Sequence, residues 1–178
     1  WRPLYFKYMN NKNYDKHDKD INTISWIFVI LFSLFILFGD FFGKILSPEA
    51  YHDSLNLIPI IAGAYYFVAS YEVYKRGFIF EKKTKIILWV HLFSGLTNLV
   101  LNILLIPIYG YKIAAVTTFI SYLLLFISGY LFSKSQHKIR HTSIKILLGP
   151  SMVIIGMIII YYLLFFLTIE IIFIKSVI

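Results

Sequence analysis

Residues 82–135 read KKTKIILWVHLFSGLTNLVLNILLIPIYGYKIAAVTTFISYLLLFISGYLFSKS. Two apolar runs, about 86–108 and 113–132, flank the short turn IPIYGYK. Crossing roughly 30 Å of hydrocarbon takes about 20 apolar residues in a helix, and each run supplies them. Neither run alternates with the period of two that marks a barrel strand. Pro107 is expected to end the first helix and Gly110 to take the turn, so the two runs fold back as an antiparallel membrane hairpin.

The same reading extends to both sides. Three further runs of span length lie at about 24–46, 54–74 and 146–167. Beyond them TIEIIFIKSVI, residues 168–178, is apolar but too short to cross alone, and reads as a partial sixth span. Residues 1–23 read as a cytoplasmic segment following a preceding helix, and 24–178 as the membrane domain. Within the first segment MNNKNYDKHDKD is polar and mixed in charge, so His17 and Asp18 are expected in a solvated connector. The chain starts at Trp1 and has no charged-then-apolar leader, so it reads as a piece of a longer protein.

Composition agrees. The 178 residues are 59% hydrophobic and 15% charged, whereas a soluble domain runs about 45–50% apolar and about 25% charged. With no cysteine, disulfides, thiolate metal sites and thiol nucleophiles are excluded. The net charge of +8 is explained by position: 14 of the 17 Lys and Arg fall before span one, between spans two and three, or between spans four and five. That alternation places those segments in the cytoplasm and removes any need for a nucleic-acid partner. Trp26 and Trp89 stand near the cytoplasmic ends of their spans and Tyr109 and Tyr111 near the outer ends, as interfacial aromatics do.

Polar residues inside hydrocarbon are costly and mark a bundle interior or a wet cavity. His91, Ser94, Asn98 and Asn102 follow one another at spacings of three, four and four, which puts them on one helical face. The next span carries Thr117, Thr118, Ser121, Tyr122 and Ser128. Counting rise from the turn sets Asn102 level with Thr117 or Thr118, and Asn98 level with Ser121 or Tyr122. Two roles fit this stripe, glue between the helices and the lining of a polar pathway, and one helix can serve both.

Asp40 lies four residues before Lys44, and Glu72 three and four before Lys75 and Arg76, so local pairing satisfies each carboxylate. Glu72 and His91 stand at similar depth, which also admits an ion-coupling site. Pro59 and Gly63, and Gly149 with Pro150, are places where a helix can bend. His137 and His141 have a helical metal-ligand spacing, but Lys138 and Arg140 beside them disfavour a cation. No phosphate loop, nucleophile elbow or H-E-x-x-H motif is present, so no enzyme, cofactor or metal is expected.

The stretch from Lys82 resembles the polysaccharide flippases of the multidrug/oligosaccharidyl-lipid/polysaccharide exporter superfamily. The match is the basic KKTK entry, then N-x-x-x-N-x-x-x-I-P-x-Y-G as Asn98, Asn102, Ile106, Pro107, Tyr109 and Gly110. The small-residue run Ala114, Ala115, Thr118, Ser121 and Tyr122 follows. It covers about 55 residues, and the span order extends it more loosely from Ser47 to the C-terminus. This chain departs from the pattern at Lys112 and at Ile113, where the family often has Gly.

The resemblance implies an all-α integral membrane fold, with about five to six transmembrane helices forming the C-terminal bundle of a two-bundle transporter. It implies a flippase in the cell (inner/cytoplasmic) membrane, moving polyprenyl-pyrophosphate-linked oligosaccharide to the outer leaflet by alternating access. The partners implied are the lipid bilayer, that glycolipid and the N-terminal half of the same protein. Asn98, Asn102, His91 and Ser121 then become pathway candidates, and Glu72 and Asp40 ion-coupling candidates. Cations for the pyrophosphate would lie on the other half or at Arg76, Lys44 or Lys112. The competing readings are a cation-coupled multidrug antiporter of the same superfamily and a polytopic glycan-modifying enzyme. A half-transporter also predicts an uncovered apolar, partly polar face formed mainly by the early spans.

Overall fold

The computed structural model describes residues 2–136 and 142–177, with side chains described over 3–136 and 142–167. It is an all-α bundle with no strand among the described residues. The helices are α1 (Arg2–Asn10), α2 (Tyr14–Leu46), α3 (Ile58–Phe80), α4 (Thr84–Tyr109), α5 (Ile113–Ser135) and α6 (Lys145–Val177), with a 3₁₀ segment Glu49–Leu57 leading into α3. Five helical stretches are long and apolar enough to cross a membrane: Tyr14–Leu46, Glu49–Phe80, Thr84–Tyr109, Ile113–Ser135 and Lys145–Leu167. The protein is therefore a multi-pass membrane bundle.

The centre is α3. It packs on α2, α5 and α6, and more lightly on α4. Tyr66, Phe67, Tyr71, Tyr74 and Phe78 are all buried along it. Apolar surface gains little by leaving lipid, so close backbone approach has to drive this packing, and small residues permit it. A Cβ at Gly63 of α3 would collide with Ile158 of α6, and one at Gly129 of α5 would sit 2.5 Å from Tyr71 Cδ2. Gly39 of α2 takes Ile58 in the same way.

By contrast α4 leans mainly on α5 and buries only Val90 and Ser94. Leu88, Trp89, Leu92, Phe93, Leu96 and Leu99 stand exposed on it, a lipid-facing surface. The uncovered apolar area thus includes α4 as well as the early α2.

Contacts at the two ends fix the up-and-down order. On the basic side Lys83 Nζ donates to Gln136 Oε1 at 2.5 Å, and the rings of Tyr5 and Phe6 meet Phe80. At the opposite end Lys112 pairs with Asp53 at 2.7 Å, and Tyr162 donates to the Asn56 carbonyl at 2.9 Å. Two basic-side turns share one geometry. Lys12 and Lys82 have φ of +53° and +57°, and the following amides, Asn13 and Lys83, bond back to Tyr8 and Phe78. These are helix-ending motifs in which glycine is the usual occupant of the left-handed position.

Several expectations are corrected. The polar connector is helical from Tyr14, and His17 is fully buried rather than solvated, because α1 folds back over it and brings Tyr5 to 5.2 Å. Tyr8 donates a hydrogen bond to Asp20 across the same joint. Pro107 does not stop its helix: α4 continues to Tyr109, since proline near the end forfeits a single exposed bond, and Gly110 closes it at φ +75°. Pro59 starts α3 instead of bending it, standing in the first turn where its missing N–H has no helical partner to lose. Residues 168–177 continue α6 rather than opening a sixth helix. The pair Gly149–Pro150 lies within α6.

Candidate functional site

The polar face of α4 meets the polar face of α5 close to the register that rise arithmetic gives. Ser94 Oγ donates to the Ser121 carbonyl at 2.6 Å, and both residues are buried. Thr117 Oγ1 donates to Asn102 Oδ1 at 2.5 Å, and Asn102 Nδ2 donates to Asn98 Oδ1 at 3.1 Å. Asn98 Nδ2 completes the ladder at 3.4 Å from Thr118 Oγ1. The hydroxyls of Thr118 and Ser121 are oriented in turn by bonds to Ala114 and Thr117 carbonyls. Each interhelical bond of this kind contributes roughly 0.6–2 kcal/mol in a membrane.

Beside the ladder a cleft of about 230 Å³ opens between the two helices. Its walls include His91, Gly95, Asn98, Thr118, Ser121 and Tyr122. Gly95 keeps it open, for a Cβ there would meet nothing within 4 Å. By depth, His91 lies roughly 10 Å and Asn98 roughly 21 Å along α4 from its basic-side end. The cleft therefore runs from mid-bundle toward that side. No Lys, Arg, Asp or Glu lines it.

Of the pathway candidates, Asn98, His91 and Ser121 are brought together on the cleft. Asn102 stands outside its lining and acts one step back, its amide holding Asn98. The ion-coupling candidates are not at the cleft. Asp40 accepts from Lys44 at 2.6 Å near the end of α2 away from the basic side, and Glu72 from Lys75 at 2.5 Å near the basic-side end of α3. His91 meets neither carboxylate; its ring stands edge-on to Tyr71, 5.2 Å away. His137 and His141 lie outside the described residues, and among the described residues no group of three metal-ligating side chains forms.

Sequence reading missed two tyrosines. Tyr71 is buried under His91, and its hydroxyl finds no hydrogen-bond partner. Tyr65, half exposed on α3, meets Tyr122 edge-to-face at 5.7 Å. Neither signal was available without knowing that α3 is the neighbour of the hairpin, though a stretch with five tyrosines from Tyr51 to Tyr74 is conspicuous.

Among the described residues outside the membrane-crossing segments, two groups are shifted by their neighbours. The hydrogen bond to Asp53 raises the Lys112 ammonium above the ordinary lysine range, and the hydrogen bond to the Asp20 carboxylate raises the Tyr8 phenol. Lys112, a candidate pyrophosphate cation, is thus engaged by a carboxylate at the end of the bundle away from the basic side. No family model, curated protein or solved structure matches this chain.

Proposed function

We propose that this bundle belongs to a lipid-linked oligosaccharide flippase of the cytoplasmic membrane, which carries polyprenyl-pyrophosphate-linked glycan from the cytoplasmic to the outer leaflet by alternating access. The observation that carries the reading is a cleft lined by His91, Asn98, Thr118 and Ser121, with no Lys, Arg, Asp or Glu on its walls, set in otherwise apolar helices between mid-bundle and the basic side. Amides and hydroxyls in hydrocarbon are costly, and a cleft of them offers a sugar both donors and acceptors. The N-x-x-x-N-x-x-x-I-P-x-Y-G run supplies Asn98 to that cleft's wall and Asn102 to hold it from behind. Asp40 and Glu72 each spend their charge on a lysine of the same helix, which favours this reading over a cation-coupled drug antiporter.

The test is reconstitution of the full-length protein in vesicles with a fluorescent lipid-linked oligosaccharide. Protein-dependent movement of the label across the bilayer is expected, and Asn98→Leu is expected to reduce it about tenfold, the effect of roughly 1.4 kcal/mol. Absence of any protein-dependent movement overturns the reading.

A further inference from the structure

We propose that His91 is the cleft's proton-dependent anion contact, its imidazolium receiving the diphosphate of the carried glycolipid at the basic-side end of the cleft. Resting on the flippase reading, this assigns the residue of this chain that meets the substrate's charge.

The sequence offers Arg76, Lys44 and Lys112 for that charge. Lys44 and Lys112 are each paired with a carboxylate, at 2.6 and 2.7 Å, at the end of the bundle away from the basic side. Arg76 is not on the cleft's walls. Those walls carry one side chain that gains positive charge between pH 5 and 8, and it is His91.

Its setting is not that of a packed core histidine. His91 is exposed, and it lines both the cleft and a neighbouring depression over Leu88, Leu92, Leu96 and Leu99. Among the described residues no group hydrogen-bonds to either ring nitrogen; the ring instead stands edge-on to Tyr71 at 5.2 Å. The rest of the stripe differs. Ser94, Asn102, Thr117, Thr118 and Ser121 each give a hydrogen bond to the hairpin itself. Asn98 gives one amide hydrogen to Thr118 and keeps the second. His91 thus keeps both nitrogens for a ligand, and Asn98 one hydrogen.

Depth suits proton exchange. α4 is roughly 39 Å long against roughly 30 Å of hydrocarbon, so His91, roughly 10 Å in, lies about 6 Å inside the hydrocarbon edge. An imidazole without a partner is costly there under lipid, whereas a polar cleft brings it water and protons from the basic side. Asn98 lies a further ~10 Å along the helix, so the two address separate parts of one ligand. The amide suits sugar hydroxyls, and the imidazolium suits phosphate oxygens.

The elements packed on α4 are α5 and, more lightly, α3. From α3, Glu72 and Lys75 act on His91 as a pair closed at 2.5 Å, with opposing charges, and Tyr71 presents a phenol. From α5 the titratable group is the Tyr122 phenol on the cleft wall. Phenols are uncharged below about pH 9. Nothing in the unliganded cleft fixes a charge on the ring, and an arriving diphosphate is the partner that holds the proton. An anion that prefers the protonated ring gains affinity as pH falls through the histidine range, and its affinity is flat above it. A diphosphate diester is ionised across that range, so the slope belongs to the protein.

The experiment measures binding to the full-length protein in nanodiscs of zwitterionic lipid, by fluorescence anisotropy at pH 5.5 to 8.5. The probe is a labelled short-chain prenyl diphosphate-linked glucose, and the control is the matching prenyl glucoside without diphosphate. The diphosphate probe should bind about tenfold more tightly at the low end of the range than at the high end, and the glucoside equally at both. His91→Gln should hold the diphosphate probe at its high-pH affinity throughout. His91→Lys, with a fixed charge, should bind it tightly throughout. The two-probe comparison on the parent reads the site without any variant. Adding phosphatidylglycerol to the nanodiscs should change the probe's affinity less than about twofold, since a bilayer phosphate lacks the sugar.

No binding of the diphosphate probe, equal pH profiles for the two probes, a parent profile that persists in His91→Gln, or displacement by phosphatidylglycerol overturns the proposal. Translocation without pH-dependent diphosphate binding overturns the role of His91 and leaves the flippase reading standing; pH-dependent binding without translocation does the reverse.

Discussion

The bundle holds its helices together in two different ways. Around α3 the device is shape: Gly63 and Gly129 let Ile158 and the Tyr71 ring in against a neighbouring backbone. Across the α4–α5 hairpin the device is polarity: α4 buries just two side chains and is held by the ladder through Ser94, Asn98 and Asn102. In water the hydrophobic effect would blur this contrast. In lipid it does not, because apolar contact alone distinguishes a helix from a hydrocarbon tail only by fit. The lesson is that the hairpin can carry a wet cleft because its cohesion does not depend on filling space.

The largest expected effect breaks the shape side. Gly129→Ala places a Cβ 2.5 and 2.8 Å from two ring atoms of Tyr71, whose ring has no free end to swing aside. A loss of about 2–3 kcal/mol is expected on denaturant unfolding in mixed micelles, and a variant as stable as the parent would show that α3 and α5 are not held by this fit. Next comes the polar side. Asn102→Leu removes bonds to Thr117 and Asn98 and is expected to cost about 1–2 kcal/mol in the same assay. Ser33→Ala, by comparison, removes one hydroxyl 2.9 Å from the Met157 sulfur between α2 and α6. Thioether is a weak acceptor, so a change below about 0.5 kcal/mol is expected, and a larger one would erase the distinction between the two regions.

At the joint between the regions, Lys82→Gly relieves a left-handed residue and is expected to stabilise by about 0.5–1 kcal/mol, visible as a higher melting temperature. The smallest effect lies at the outer turn. Lys112 has its titration raised by Asp53, so the pair's contribution is fully present below the ordinary lysine value of about 10.4 and fades as pH climbs through the raised value. The melting-temperature difference between the parent and Asp53→Asn should therefore be constant from pH 7 to about 9 and shrink at higher pH, and added salt should reduce it throughout.

What the sequence made legible follows from physics that acts along one helix. Span lengths came from the cost of polar groups in hydrocarbon, and the meeting of Asn102 with Thr117 from helical rise and one short turn. The i,i+4 pair Asp40–Lys44 is local in the same sense. What was illegible depends on which helices become neighbours. A polar, charged stretch gives no sign that His17 will lie under α1, and nothing within 58–80 marks that run as central. The meeting of Tyr65 with Tyr122 across α3 and α5 is likewise a tertiary fact. Pro107 misled because its cost depends on how many turns follow it, and here less than one does.

The burial of His17 has a mechanical consequence. Where α1 lies over His17, with Phe80 against its rings and Tyr8 bonded to Asp20, three helix ends are clamped at one corner of the bundle. Directly beyond it, α4 leaves the Lys82 turn and buries only Val90 and Ser94 along roughly 39 Å of its length. The bundle thus has a stiff corner and a compliant arm.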